Sequence, residues 1–376
     1  MFLYLSRKLM EQAGGLGPLR LFEYITFRAG GAAFSAFIIA LVFGGFTSRL
    51  LRHVQAAAPN RLEGLVEDDA ETVARKEGVP SMGGILILAA TVVSILLWGR
   101  IGDPLVLLFL GLLVFLGLIG FLDDYLKIRR QSGDGLPGKW KILAQLVIAV
   151  VAVYCLDQLP ETKGVVRQLY MPFVKHPVTV LPLAGALAFG AFIVISSSNA
   201  VNLSDGMDGL AIGCTAICAT AYAIFAYVCG HAKFADYLLV PYISNCGEVT
   251  VIALAIAGAS LGFLWHNCFP ASMFMGDTGS LALGGAVGLI AVLVRQELLL
   301  AVVGGIFVIE AGSVLLQTGW YKLSRRLFGT PQRLFRCAPI HHHFKKKGWP
   351  ETQIVIRFWI IAVVLAAAGV ASLKLR

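Results

Sequence analysis

The sequence predicts an all-α, polytopic integral membrane protein of about ten transmembrane helices, folded as a single domain over residues 1–376. Three observations predict this fold. Hydrophobic residues make up 57% of the chain and charged residues 14%, with a mean hydropathy of +0.78, which is typical of polytopic membrane proteins. Apolar segments of roughly 16 to 23 residues recur, close to the length that crosses a bilayer core. Basic residues concentrate in alternate connecting segments.

The apolar segments give the expected order of the helices. We expect transmembrane helices at about 25–50, 81–99, 104–122, 142–159, 178–198, 209–229, 249–268, 279–295, 298–318 and 354–373. The division at 295–297 is the weakest, because the two segments are closely spaced there, and one long helix would change the face on which the C-terminus lies. Residues 1–23 mix apolar and charged side chains and predict an interfacial segment. Residues 319–353 predict an amphipathic segment followed by a basic, histidine-rich loop.

The distribution of positive charge predicts the orientation. Ten helices put both termini on one side, and most Lys and Arg residues then fall in one alternating set of connections. This set comprises residues 51–80, 123–141, 199–208, 269–278 and 319–353. The positive-inside rule places it in the cytoplasm, although basic residues near the N-terminus count against this. The net charge of +9 suits membrane lipids and anionic substrates. Because no segment resembles a nucleic-acid-binding module, we expect no nucleic-acid partner.

Two adjacent carboxylates, Asp123 and Asp124, lie where an apolar segment meets a basic loop. They repel each other at a boundary of low dielectric constant, so water, a cation such as Lys127 or Lys141, or a divalent metal must stabilise them. The alternative is a solvated helix end with ordinary charges. Further carboxylates predicted at the same face favour a functional site.

A polar segment at 199–210, punctuated by glycines, provides the next carboxylates. Asn202, Asp205 and Asp208 are three residues apart, and the glycines predict a turn whose backbone N–H groups can approach a ligand closely. Such an oxygen-rich segment suits magnesium, ribose hydroxyls or the edge of a pyrimidine. The alternative is a polar turn in which Asp208 caps the following helix.

The sequence Gly-Asp-Thr-Gly-Ser at 276–280 opens another apolar segment. Asp277 could hold a metal there, and free N–H groups at a helix N-terminus could receive phosphate oxygens. The alternative is that Asp277 or Thr278 only caps the helix. Just upstream, Asn267 offers a hydrogen-bonding amide and Phe274 a ring for stacking against a base, although Phe274 could equally be an ordinary interfacial aromatic.

Two single charged residues allow less specific interpretations. Lys76 precedes a Gly/Pro turn that includes Ser81 and opens the second helix. It could contact a phosphate or carbonyl group, or it could simply flank a membrane helix. Glu310 lies within the predicted ninth helix, and we interpret it as a hydrogen-bonding group between helices in the packed interior.

Three consecutive histidines, His341, His342 and His343, precede three lysines. Successive side chains point apart, so they make a poor cage for one metal, although zinc with Cys337 is conceivable. Histidine and lysine together suit a diphosphate better, and a surface loop that contacts anionic lipid is the alternative. With the carboxylates, these segments indicate magnesium-assisted phosphoryl chemistry, and the membrane setting implies a lipid acceptor.

These motifs resemble those of the polyprenyl-phosphate sugar-1-phosphate transferases and, within them, the phospho-N-acetylmuramoyl-pentapeptide transferases. The resemblance runs over nearly the whole chain. It is carried by Pro-Ser-Met-Gly-Gly at 80–84, Asp-Asp-Tyr-Leu-Lys at 123–127, the segment 199–210, Gly-Asp-Thr-Gly-Ser at 276–280 and Ala-Pro-Ile-His-His-His-Phe at 338–344. The Asp-Asp pair indicates only the superfamily, whereas the Met-Gly-Gly and triple-histidine motifs point to the muramoyl-pentapeptide branch.

The resemblance implies a reaction, a cofactor and a location. This family transfers phospho-MurNAc-pentapeptide from UDP-MurNAc-pentapeptide to undecaprenyl phosphate with Mg²⁺, giving lipid I and UMP in the first membrane step of peptidoglycan synthesis. It also implies a multi-pass protein of the bacterial cytoplasmic (inner) membrane, with its active site facing the cytoplasm, and a homodimer.

The resemblance further implies roles for individual residues. Asp277 would bind the metal, while Asp123 and Asp124 would deprotonate or orient the lipid phosphate. The other residues implied in catalysis are Lys127, Lys141, Asn202, Asp205, Asp208, His341, His342 and His343. Those implied in substrate binding are Lys76, Ser81, Asn199, Asn267 and Phe274, with the Phe274 ring stacked on the base.

The sequence departs from the family pattern at two places and leaves alternatives open. Val79 and Ser81 stand where threonines are common, and Lys345 stands where glutamate is usual. A sister enzyme that uses UDP-GlcNAc with the same lipid would lack the Met-Gly-Gly and triple-histidine motifs. A secondary transporter would show inverted repeats and charges at the membrane midplane, which this sequence does not show convincingly. Adjacent carboxylates permit either direct attack by the lipid phosphate or a covalent phospho-enzyme.

Overall fold

The structure, a computed structural model, describes residues 1–13, 17–53, 78–130 and 135–375. Within these residues the protein is a bundle of fourteen α-helices, numbered α1 to α14, with one pair of two-residue antiparallel strands. The helices are Phe2–Ala13, Ile25–His53, Gly84–Trp98, Pro104–Arg130, Gly138–Gln158, Leu183–Ser204, Leu210–Cys229, Ala232–Tyr237, Cys246–Asn267, Gly276–Leu293, Glu297–Val303, Gly305–Phe328, Ile340–Lys345 and Glu351–Ala371. The strands β1 (Gln168–Leu169) and β2 (Thr179–Val180) lie between α5 and α6.

The all-α, polytopic membrane class is confirmed. Eight of the described helices are long and apolar enough to cross a membrane, namely α2, α4, α5, α6, α7, α9, α10 and α14. The pair α11 and α12 would make a ninth span, whereas α3 is apolar but has only 15 residues. The predicted number of ten is therefore not confirmed, although an apolar helix lies at each predicted position.

The ninth predicted helix, at 298–318, is wrong in its shape. Two helices occupy this stretch, and α11 and α12 meet at an angle of 88°. The bend falls at Gly304 and Gly305, where the absence of two side chains lets the backbone turn sharply. The weak division at 295–297 is real, because α10 ends at Leu293 and α11 begins at Glu297.

Helix α10 is the centre of the bundle, because 94% of its residues are buried. It packs against α3, α4 and α6, and two glycines on these neighbours allow the closest approaches. A Cβ atom on Gly84 would lie 2.1 Å from the backbone N of Gly279, and one on Gly120 would lie 2.2 Å from the backbone O of Asp277. Small residues at membrane helix interfaces permit such backbone contact. The contact at Gly120 fixes the position of Asp277 along the axis of α4.

Helices α2 and α9 form a second tightly packed pair. Alanines of α2 at helical spacing are fully buried or nearly so, at positions 29, 32, 36 and 40. At one end of this pair, Arg28 and Glu248 form a buried bidentate ion pair with N–O distances of 2.8 and 2.6 Å. At the other end, Ser48 donates a hydrogen bond to the backbone O of Ser272. The pair therefore links the two ends of the bundle.

The segments predicted to share one face do meet at one end of the bundle, as far as they are described. The end of α4 contacts the start of α10, and the turn after α6 contacts both the segment after α9 and the start of α14. The N-terminal segment lies at the other end, where the Met1 amine donates to the backbone O of Leu96 at 2.8 Å. Residues 2–13 are helical, as an interfacial helix requires, and their place at a membrane surface stays a prediction.

Candidate active site

Three buried carboxylates form the centre of the candidate site. Asp123 and Asp124 come from the last turns of α4, and Asp277 comes from the first turn of α10. Each is at most 6% exposed, and one carboxylate oxygen from each lies within 4.8 Å of the others. Among the described residues, this is the one group of His, Cys, Asp and Glu side chains that could hold a metal ion. The zinc alternative with Cys337 therefore has no such group to support it.

Two lysines neutralise part of this charge. The Nζ atom of Lys127 contacts Asp123 and lies 3.1 Å from Oδ2 of Asp277 and 3.5 Å from Oδ1 of Asp124. The Nζ atom of Lys141, from the first turn of α5, lies 2.8 Å from Oδ2 of Asp277 and 3.6 Å from Oδ1 of Asp123. Three carboxylates and two ammonium groups leave a formal charge of −1, which favours a further cation. The predicted partnership of both lysines with these carboxylates is present.

Asp124 holds the N-terminus of α10. Its Oδ1 accepts a hydrogen bond from the backbone N–H of Asp277 at 3.2 Å, and its Oδ2 accepts from the backbone N–H and the hydroxyl of Thr278 at 2.9 and 2.8 Å. These N–H groups have no partner within a helix, and the helix dipole also favours a negative charge there. The helix makes no cap hydrogen bond with a side chain of its own N-cap residue, Met275. The interpretation of Asp277 or Thr278 as a simple cap is therefore wrong, because Asp124 does this from another helix.

Asp123 and Asp277 are the carboxylates that fit a metal ion. One oxygen of each lies within 4.8 Å of the other, and two carboxylates this close need positive charge to offset their repulsion, which Lys127 and Lys141 supply only in part. Asp123 is also held in place from the following loop, since its Oδ1 accepts the backbone N–H of Leu136 at 2.9 Å. Hard oxygen ligands in a buried, net negative setting are those that Mg²⁺ prefers.

The turn after α6 adds a fourth carboxylate beside this centre. The backbone N–H of Gly276 donates a hydrogen bond to Asp205. Burial, reinforced by the nearby charges of Asp277 and Asp124, raises the pKa of Asp205 to about 8. Its neighbour Asn202 donates to the hydroxyl of Ser280 at 3.0 Å. Both side chains thus fasten the turn to the first turns of α10.

Asp208 and Asn267 connect the turn after α6, the segment after α9 and the start of α14. Asp208 accepts the backbone N–H of Ala271 at 3.0 Å, and its own N–H donates to Glu351 of α14. The amide of Asn267 accepts from the backbone N–H of Gly209 at 3.0 Å and donates to the backbone O of Met273 at 2.9 Å. Gly209, in a left-handed conformation, is the N-cap of α7, with no side-chain cap. The alternative that Asp208 caps this helix is therefore wrong.

The residues predicted to bind substrate lie around this centre to different extents. The backbone of Phe274 is fixed on both sides, because its N–H donates to the O of Pro80 and its O accepts from Gly83, and its ring is half-buried. Ser81 is buried next to this contact. The amide of Asn199 donates to Gln145 of α5 at 2.8 Å, so it serves the packing of two helices. Lys76 lies outside the described residues.

The three histidines lie on the short helix α13, which contacts the turn after α6. The Nδ1 atom of the fully buried His341 lies 2.9 Å from Oε2 of Glu310, and the rings of His341 and His342 have centroids 4.1 Å apart. Glu310 is thus an interior hydrogen-bonding group as predicted, and its partner is a histidine of the candidate site. The Nδ1 atom of His343 accepts the backbone N–H of Arg336. Partial burial and the positive charges of Lys347 and Arg336 lower the pKa of His343.

The chain matches known proteins over nearly its whole length. Residues 106–295 match the glycosyl transferase family 4. A phospho-N-acetylmuramoyl-pentapeptide-transferase of Methylacidiphilum infernorum is 45% identical over 97% of this chain and 98% of that protein. Proteins with the same name are 44% identical in Desulfotalea psychrophila, over 94% and 95% of the two chains, and 43% identical in Neisseria meningitidis, over both full lengths.

The chain belongs to the phospho-N-acetylmuramoyl-pentapeptide transferase family. It is therefore a transferase of a membrane-embedded family, which confirms the resemblance given by the motifs. Lys345, where the family pattern has glutamate, lies 3.7 Å from Oε2 of Glu351. Because Glu351 also accepts the N–H of Asp208, the departure introduces a positive charge next to a carboxylate that anchors the turn of the site.

Several residues that hold the candidate site together were not singled out by the sequence analysis. Gln145, Glu351 and Ser280 hold Asn199, Asp208 and Asn202, respectively, through contacts of 54, 143 and 78 residues in sequence separation. Ser280 belongs to a recognisable motif, so its hydroxyl could have been named from the sequence. Gln145 and Glu351 are single polar residues at the edges of apolar segments, and no spacing rule connects them to their partners.

Proposed function

We propose that this protein transfers phospho-MurNAc-pentapeptide from UDP-MurNAc-pentapeptide to undecaprenyl phosphate, giving lipid I and UMP for peptidoglycan synthesis. The observation that carries the proposal is the buried group of Asp123, Asp124 and Asp277, bound by two lysines at one end of an apolar helical bundle. A soluble nucleotide donor can reach such a site from water, and a lipid acceptor can reach it from the membrane. The names of the relatives support this choice of donor sugar.

The arrangement favours direct transfer with Asp123 as the reactive carboxylate. An oxygen of the acceptor phosphate attacks the phosphorus that carries the sugar, and the bond from that phosphorus to the bridging oxygen of UMP breaks. Lys127 and Lys141 are placed to bind the anionic acceptor, and Asp123 lies between them to orient it or to take its proton. Asp124 is committed to the N-terminus of α10 through both oxygens, so we assign it a positioning role.

We propose that Asp277 holds Mg²⁺ together with Asp123. When bound there, the ion would neutralise charge that develops on the diphosphate. Phosphoryl transfer depends mainly on positioning and charge neutralisation, and the side chains of this site supply the rest of that positive charge as Lys127 and Lys141. His341 and His342 lie against Gly206 of the neighbouring turn, and we propose that His341 to His343 lie on the diphosphate or sugar side of the donor.

Phe274 and its neighbours form the proposed nucleoside site. The Phe274 ring is half-buried on a backbone fixed by Pro80 and Gly83, so it offers a rigid face to a base. Asn267 lies next to it, although both ends of its amide are used within the protein. We therefore propose that Asn267 shapes this site, and that Lys76 and Ser81 contact the donor from the preceding segment.

We further propose that the site faces the cytoplasm in the bacterial inner membrane. The basic connecting segments at this end support that orientation by the positive-inside rule. Membrane lipids would surround the apolar helices, and the family resemblance implies a homodimer.

A transfer assay with two donors tests the proposed function. Purified protein in detergent is given undecaprenyl phosphate and Mg²⁺ with either UDP-MurNAc-pentapeptide or UDP-GlcNAc. We expect lipid product and UMP from the muramoyl donor alone. Product from UDP-GlcNAc instead would move the protein to the sister reaction, and no product from either donor in a folded sample would contradict the proposed chemistry.

A further inference from the structure

Glu310 and His341 form an isolated pair in the interior of the protein. Both side chains are fully buried, and Nδ1 of His341 lies 2.9 Å from Oε2 of Glu310. Among the described residues, His341 is the only ion-pair partner of Glu310, and the second carboxylate oxygen has no hydrogen-bond partner. Burying a carboxylate that has a single partner costs free energy of folding. A role of Glu310 beyond packing would account for its place in the interior.

The contact fixes which nitrogen of His341 faces the active site. An ionised carboxylate only accepts hydrogen bonds, so opposite an ionised Glu310 it is Nδ1 that carries the proton, and the same bond orients the other ring nitrogen. The Nε2 atom has no hydrogen-bond partner among the described residues. It lies against Gly206, where an added Cβ atom would be only 2.4 Å away. Gly206 follows Asp205, so a buried, uncommitted nitrogen lies at the turn that borders the carboxylates.

The bend between α11 and α12 makes this contact possible. Helix α12 begins after the 88° change of direction at Gly304, and Glu310 lies in its second turn. The helix therefore passes behind α13 and presents its carboxylate to the far side of the His341 ring. Neither His342 nor His343 shares this carboxylate, since the only histidine that it pairs with among the described residues is His341.

We propose that Glu310 is a positioning residue that sets the tautomer and orientation of His341, so that Nε2 is held against the Gly206 turn that shapes the site for the nucleotide donor. The proposal rests on the proposed function for the identity of that donor. Carboxylate partners of metal-binding histidines act in this way, and their loss reduces metal affinity or activity by about 10- to 100-fold; we expect an effect of that size for Glu310.

A double-mutant cycle separates this role from a merely structural one. Glu310→Ala, His341→Ala and the double variant are purified, and kcat, the KM for the donor and the Tm are measured. We expect Glu310→Ala to lower kcat/KM by about 10- to 100-fold, yet by less than about twofold when His341 is already alanine. Glu310→Gln keeps an acceptor of the same shape and should restore part of the loss. An equal loss in both backgrounds, or no loss in either, would overturn the proposal.

A spectroscopic measurement tests the tautomer without reference to activity. In protein with ¹⁵N-labelled histidine, one ring-nitrogen signal pair should report protonation at Nδ1, vanish in His341→Ala and change its tautomer signature in Glu310→Ala. Glu248→Gln, which alters a buried carboxylate at the other end of the bundle, is the matched control and should leave that signal unchanged. If wild-type protein transfers no sugar phosphate, the proposed function fails, and this measurement still decides whether Glu310 orients His341. An unchanged His341 signal in Glu310→Ala would refute it.

Discussion

The three central carboxylates differ in what each one touches, although they look alike in the sequence. Asp124 uses both oxygens to hold the first N–H groups of α10. Asp123 and Asp277 lie close to each other and share two lysines. A metal ion can therefore compete with the lysines for Asp123 and Asp277, and an acceptor phosphate can compete with these carboxylates for the lysines, without releasing α10. Asp124 supports the site by holding the first turn of α10, and therefore Asp277, in position beside α4.

The Phe274 ring gives a prediction about donor binding. Phe274→Ala should raise the KM for the nucleotide donor by about tenfold and change kcat little, because base stacking contributes roughly 1–3 kcal/mol to binding. Phe274→Tyr keeps the aromatic face and is the control, expected to stay within about threefold of wild type. Steady-state kinetics at saturating acceptor measures both. A Phe274→Ala variant with an unchanged donor KM would remove the nucleoside site from this position.

Lys345 gives a prediction about stability. Lys345→Glu would set a second carboxylate against Glu351, which is only 6% exposed at its side chain, and should lower the Tm by about 2–4 °C. Lys347→Glu makes the same charge change at an exposed position nearby and should shift the Tm by less. Thermal unfolding in detergent measures the difference. Equal shifts for the two variants would show that the Glu351 contact contributes nothing.

At the scale of single residues, sequence patterns identified the reactive groups more readily than the groups that hold them. Asp123, Asp277 and His341 stand in compact motifs, so their chemistry could be read directly. Glu351 has no motif, because its partner is 143 residues away and a folded chain is needed to bring them together. Glu310 was expected to form an interior hydrogen bond, but its partner on α13 depends on the bend before α12.

At the scale of helices, the position of α10 determines the geometry of the site. Asp277 lies in its first turn, and its first two turns contact α4 through Asp124 and α6 through Asn202. At Gly84 and Gly120 its backbone lies so close to α3 and α4 that no side chain fits between them. Small residues on neighbouring helices therefore matter to catalysis as well as to packing.

The contact at Gly120 predicts a matched pair of variants on α4. Gly120→Ala would put a methyl group 2.2 Å from the backbone O of Asp277, so α10 must shift. We expect a loss of activity of at least about tenfold and a lower Tm, because displacement of reacting groups by about 1 Å costs as much as 100-fold. Gly111→Ala meets nothing within 4 Å and should retain both. Similar behaviour of the two variants would argue against this account of α10.

The length of the apolar segments was enough to predict that a helix exists at each position. It did not predict where a helix bends or begins. Each predicted apolar segment contains a helix, since about 20 apolar residues have few other options in a membrane. The 88° bend lies inside an apolar stretch, and its Gly304-Gly305 pair resembles the many glycines that merely allow close packing. The shortness of α3 was also missed, because the helix predicted at 81–99 included Ser81, Met82 and Gly83, which precede its first residue, Gly84.

At the scale of the whole molecule, the site and the N-terminal helix lie at opposite ends of the bundle. The ends and starts of α4, α5, α6, α7, α9 and α10 converge on the carboxylates, while the Met1 amine contacts the end of α3. The sequence could predict this division because odd and even connections between spans must lie on opposite faces. Which face is cytoplasmic follows only from the positive-inside rule.

The proposed orientation predicts a pattern of thiol labelling. Cys268 is exposed near the site, and Tyr4 is 75% exposed on α1 at the other end. A membrane-impermeant thiol reagent should label Cys268 in inverted vesicles but not in intact cells, with Cys268→Ser as the control for that site. Tyr4→Cys should be labelled from outside. The opposite pattern would reverse the orientation.

The measurement that tests the central claim most directly is lipid I formation by purified protein at increasing Mg²⁺ concentration, in wild type and Asp277→Asn. Asp157→Asn is the control, because Asp157 pairs with Arg167 at the other end of the bundle. The account predicts magnesium-dependent transfer by wild type and control, and a loss of at least about a hundredfold in folded Asp277→Asn. Transfer by Asp277→Asn with the rate and magnesium dependence of wild type would contradict it.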